Sequence, residues 1–117
     1  MDPFTIAAAI AFLGPLVVAV IAITIRRIWN WFRYRGQIKA SNANAIAFTL
    51  ADRLENKQYT EVTGVFGATP KRNQIVQGFY DTRTGRLIQA RAIASSEAAE
   101  REVIQQHEAG QGLVIYT

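Results

Sequence analysis

The chain has 117 residues, with 13 Lys and Arg, 9 Asp and Glu, one histidine and no cysteine. Without thiols it has neither a disulfide framework nor a thiolate metal site, and a single imidazole cannot build a His cage or a Cys/His pair. The formal charge of +4 is not spread evenly: Arg26, Arg27, Arg33, Arg35 and Lys39 follow one apolar stretch, whereas residues 40–117 hold eight basic and eight acidic side chains, a balance that speaks against polyanion binding by that part.

The apolar stretch is Phe4 to Ile25, FTIAAAIAFLGPLVVAVIAITI, 22 residues without a charged side chain. As one helix it would cover roughly 33 Å, enough for a hydrocarbon core of roughly 30 Å. The sequence therefore predicts a single-pass transmembrane helix within residues 1–36. The leading Met-Asp-Pro lacks the positive charge of a signal peptide and the apolar run is too long for one, so a retained signal-anchor is expected. Positive charge after the span orients it with the N-terminus outside and the C-terminal domain cytoplasmic. Ala7, Ala11, Gly14 and Pro15 form a small-residue stripe suited to helix–helix packing in lipid, with Pro15 introducing a kink. Beyond the span, Arg26, Arg27, Trp29, Trp31, Arg33, Tyr34 and Arg35 read as an interfacial anchor, the indoles at headgroup level and the guanidinium groups on lipid phosphates. Arginine interleaved with aromatics also occurs where single-stranded nucleic acid is held, but the position beside a span favours the lipid reading.

Residues 37–117 read as a small α+β domain in the order α-β-β-β-α-β, with a small, mostly antiparallel sheet. Ser41 or Asn42 caps a helix whose Ala43, Ile46, Ala47, Leu50, Ala51 and Leu54 recur at three- and four-residue spacing. The β-branched and aromatic TEVTGVFGA, with Val62 and Phe66 on one face and Thr63 and Val65 on the other, predicts a strand. IVQGFYD, TRTG and RLIQARAIA predict a hairpin in which Asp81 caps the turn, Gly85 takes a positive φ, and Gly78 marks a bulge or a close backbone approach. Ser95 or Ser96 is expected to cap a helix from Glu97 with Ala99, Val103, Ile104 and His107 or Gln106 inward, ended by Gly110. GLVIYT then closes the chain as a strand.

The inventory points to no chemistry. His107 stands alone, no phosphate-loop motif is present, and Glu97, Glu100 and Glu108 lie on a solvated helix. The expectation is a non-enzyme with no catalytic residues, cofactor, metal or small-molecule substrate. The first functional reading is a membrane-anchored accessory, assembly or structural subunit of a larger complex, with the lipid bilayer, other membrane subunits or further copies of itself as partners. The alternative is a tethered recognition module that adds a partner's strand at an open sheet edge, with Leu113 and Ile115 or the VTGVFGA segment as the contact; a viral membrane-to-coat linker is a variant of the first reading.

Overall fold

The uncharged residues from Phe4 to Ile25 do not form one helix. In the computed structural model, which describes residues 1–62 and 64–116, they are divided among helix α1 (Pro3–Leu13), strand β1 (Val18–Val20) and the start of helix α2 (Ile25–Tyr34). The break lies at Gly14 and Pro15. Gly14 adopts φ +92°, a residue before proline is disfavoured in the α region, and Pro15 brings no N–H to a helical ladder. Val17, Val18, Val20, Ile21, Ile23, Thr24 and Ile25 follow, a β-branched run that suits an extended backbone. Among the described residues no helix is long and apolar enough to cross a membrane. That corrects the expected transmembrane signal-anchor, and with it the single-pass membrane location and the outside-to-cytoplasmic orientation derived from it.

Each of the two helices has its own start signal. The Asp2 carboxylate accepts from the Thr5 backbone N–H at 3.0 Å and the Thr5 hydroxyl at 3.1 Å, with Pro3 in the first turn. Thr24 caps α2 by accepting from the Arg27 N–H at 3.2 Å. Helix α2 buries Ile28, Trp31 and Phe32 and leaves Arg26, Arg27, Arg33 and Tyr34 exposed, the two-sided pattern of a helix lying on a core. A short helix α3 (Gly36–Ser41) follows.

The remaining elements are β2 (Ala45–Leu54), β3 (Lys57–Gln58), β4 (Asn73–Asp81), β5 (Arg86–Ser95), helix α4 (Arg101–Ala109) and β6 (Leu113–Tyr116). They build a mixed six-stranded sheet in the order β1-β5-β4-β2-β3, with β6 also paired to β2. The β1–β5 pair is parallel and every other pair is antiparallel. The segment from Ala43 to Leu54, expected as a helix, is instead mostly the central strand β2. Eight of its ten residues are buried because the sheet is covered on both sides, so the strand lacks the alternation that would distinguish it from a helix. A register shift between Ala51 and Arg53 leaves Asp52 as an extra residue, and its carboxylate accepts from Gln58 Nε2 at 2.8 Å and the Val62 N–H at 3.0 Å. Those bonds tie the following segment against β2. Of the TEVTGVFGA stretch, Thr63 lies outside the described residues, and the rest is not a strand: Gly64 and Gly67 take φ +81° and +76°, which interrupts extended pairing.

The β4–β5 hairpin forms as its sequence predicts. Asp81 Oδ1 accepts from the Arg83 and Thr84 N–H groups, and Gly85 takes φ +72°. At Gly78 a Cβ would lie 2.6 Å from the Gln89 carbonyl oxygen and 2.9 Å from Ala90 Cβ, so the neighbouring strand requires glycine there. Helix α4 starts at Arg101 with Glu100 at its N-cap, not at Glu97 after a Ser95 or Ser96 cap: Ser95 ends β5 opposite Asn73, and its Oγ accepts from the Glu97 N–H in a turn ahead of the helix. Val103 and His107 face inward, and the helix ends at Gly110.

Two cores result, one on each face of the sheet. Helix α1 places Ile6 and Ile10 against Phe48, Leu50, Val76 and Leu87. On the other face α2 and α4 place Ile28, Phe32 and Val103 against Ala51, Ile75, Phe79 and Ile93. At about 1.5–3 kcal/mol for each fully buried large apolar side chain, residues 6–32 supply a substantial part of the stabilisation of both layers.

Candidate functional site

The outer face of α1 and the segment at residues 17–20 carry most of the exposed large apolar side chains. Phe4, Phe12, Val17 and Val20 are 76%, 83%, 79% and 68% exposed, and Leu13 and Val18 accompany them. Among the described residues strand β1 is paired on one side only, to β5, with the Ala92 N–H donating to the Val17 carbonyl at 2.9 Å. In a parallel ladder alternate residues face the partner, so Val18 and Val20 direct their backbone groups away from β5. Of the residues expected to pack helix on helix, Ala11 and Pro15 are exposed on this surface and Ala7 and Gly14 are half-buried. Gly14 and Pro15 thus lead into β1, while Ala7 packs against the core beneath α1. The signal in the sequence was the Gly14-Pro15 break followed by Val17, Val18 and Val20.

The second open edge is β6. Leu113 is buried opposite Leu50 and belongs to the α1-side core, while Ile115, opposite Phe48, is 38% exposed. This edge offers a single exposed large apolar side chain.

The basic, aromatic segment divides between core and surface. Trp31 stacks on Phe79 with ring centroids 5.8 Å apart, and half-buried Trp29 meets Tyr116 edge-on at 5.3 Å. Arg26, Arg27, Arg33 and Tyr34 are exposed, and Arg35 lies with its guanidinium 4.1 Å from the centre of the Trp31 ring. Arg91 of β5 reaches the same ring at 5.5 Å. Sequence reasoning missed Arg91. Its signal is a cation two residues before the inward-facing Ile93, the register of the buried face.

The titratable groups of the interior are committed to internal bonds. His107 is fully buried, with Nδ1 2.6 Å from the Val103 carbonyl and Nε2 2.8 Å from Thr49 Oγ1, which in turn lies 2.8 Å from the Tyr116 hydroxyl. A carbonyl can only accept, so Nδ1 carries the proton and Nε2 accepts from Thr49. Burial pushes the His107 pKa down, partly countered by the Val103 bond. Burial raises the Tyr116 phenol to about 12, against the lowering effect of the Thr49 bond. For Glu55, burial works to raise the pKa, but hydrogen bonds from Asn73 and Arg72 outweigh it and the net shift is downward. Among the described residues no three His, Cys, Asp or Glu side chains gather as a metal site. Comparison with family models, curated proteins and solved structures yields no match to this chain.

Proposed function

We propose that the chain is a non-catalytic interaction module of a larger protein assembly, docking by accepting an extended, apolar, uncharged strand of its partner along the open edge of β1. The observation that carries this reading is the coincidence of that unpaired edge with exposed Val17, Val18 and Val20. Backbone pairing supplies affinity in strand addition, and alternate side chains supply selectivity. Strand β1 is short, but it carries neither the charge nor the proline that would block pairing along its open edge. Val17, Val18 and Val20 are themselves apolar and exposed, so an apolar strand with neutral side chains opposite them suits this edge. The β6 edge, with Ile115 alone exposed, is the weaker candidate.

Panning a random peptide library on the immobilised full chain tests the reading. Val/Ile-rich, neutral binders are expected, with affinity falling about tenfold or more for Val18→Lys/Val20→Lys, two exposed positions whose substitution leaves the core untouched. Binders that retain affinity for the double variant, or that respond instead to Ile115→Lys, refute it. Light scattering on the unliganded chain adds a second arm: a dimer dissolved by the double variant would assign the edge to a second copy and overturn the partner reading.

A further inference from the structure

We propose that the cleft beside α2 where Arg27, Arg35 and Arg91 converge around Trp31 binds the phosphate group of a small phosphomonoester or free phosphate. Three elements build it. Helix α2 supplies Arg27 and Trp31, its C-terminal cap supplies Arg35, and the buried face of β5 supplies Arg91. The cleft has a volume of about 260 Å³, and Asn30 and Tyr34 at its margin add an amide and a phenolic hydroxyl.

Arg35 and Arg91 are held in place, and among the described residues none of the three arginines forms an ion pair. Arg91 Nε donates to Gln77 Oε1 at 2.8 Å, and fully buried Gln77 donates through Nε2 to the Ile28 carbonyl at 2.7 Å, so this guanidinium is aimed from a fixed support. Arg35 Nη1 donates to the Trp31 carbonyl at 3.3 Å, while Arg35 Nε is buried without a hydrogen-bond partner. Among the described residues the only ion pair is Arg72–Glu55, far along the chain from all three. Burial, followed by the Arg35 and Arg27 charges, lowers the Arg91 pKa, so both neighbouring cations bear on Arg91. Arginine nevertheless stays charged at neutral pH. Planar guanidinium forks meet phosphate oxygens in pairs, so one doubly charged oxyanion supplies the missing countercharge and accepts the free N–H groups. Stacking on Trp31 accounts for the position of two of the cations and leaves their shared charge uncompensated.

The test is a titration of the full chain with inorganic phosphate and, separately, phenyl phosphate, at neutral pH and constant ionic strength. Calorimetry and the fluorescence of Trp29 and Trp31, the only two tryptophans, supply the readouts. Saturable binding below about 1 mM is expected, weakened about tenfold or more in Arg35→Gln and Arg91→Gln and within about twofold of the parent in Arg33→Gln, a guanidinium of the same helix outside the cleft. Tighter binding of phenyl phosphate identifies a monoester ligand, and equal binding identifies free phosphate. No saturation by either, or an equal loss in Arg33→Gln, overturns the site. Should Arg91→Gln fail to fold, exposed Arg27→Gln provides the same test. The result is independent of docking at β1.

Discussion

Acidification should unfold this protein through His107. The imidazole is fully buried, its Nδ1–H is committed to Val103, and its Nε2 accepts from Thr49, whose other neighbour is the Tyr116 hydroxyl. No carboxylate is bonded to it to stabilise a second proton. Its folded pKa therefore lies below the unfolded value of 6.5, and the unfolded chain binds more protons as the pH falls past that value. Stability is complete above about pH 6.5 and is lost as the pH falls toward the folded pKa, with a limiting slope of ~1.4 kcal/mol per pH unit for one proton. For a chain of 117 residues, an unfolding entropy of about 2.1 cal/mol/K per residue converts that slope to a Tm decrease of roughly 5–6 °C per pH unit. Thermal melts by circular dichroism between about pH 8 and 5 read it directly, above the range in which Glu55, held below the ordinary carboxylate value, begins to matter. His107→Gln should flatten the profile. A Tm that stays constant over this interval, or an unchanged slope in the variant, would refute the reasoning.

Two further perturbations test the packing. Gly78→Ala drives a methyl group to 2.6 Å from the Gln89 carbonyl, a backbone atom that cannot rotate away, and should cost about 1–3 kcal/mol in a denaturant titration; a neutral result would mean that the β4–β5 register is wrong. Glu55→Gln replaces one oxygen of a carboxylate that accepts from Arg72, Asn73 and the Ala99 N–H, and a loss of about 1 kcal/mol is expected, the Arg72 pair being discounted because both partners are partly exposed.

The hairpin from Asn73 to Ser95 was legible because its turn chemistry is local: Asp81, Gly85 and the flanking β-branched residues all sit within one short window. Helix α4 and β6 were legible for the same reason, through Gly110 and the apolar spacing. Strand β2 was not, since its partners on both faces come from distant elements and its burial is nearly continuous. The N-terminal stretch was misread because uncharged length is shared by a membrane span and by a chain segment buried in a protein core. What separates the two here is Gly14-Pro15 and the β-branched run after it, features that a kinked membrane helix also tolerates. In the same way the arginines of residues 26–35 stood out by composition, while their companion Arg91 became visible only once α2 lay across β5.

The parallel pairing of β1 with β5 has a temporal side. Val18 pairs with Ala92, a residue that leaves the ribosome 74 positions later. At about 5–20 residues per second the apolar N-terminal stretch waits roughly 4–15 s for its strand partner. Throughout that interval Ile6, Ile10 and Ile23, which are buried in the finished fold, have no completed sheet to cover them. The sheet edge at β1 is therefore completed only after most of the chain has been made.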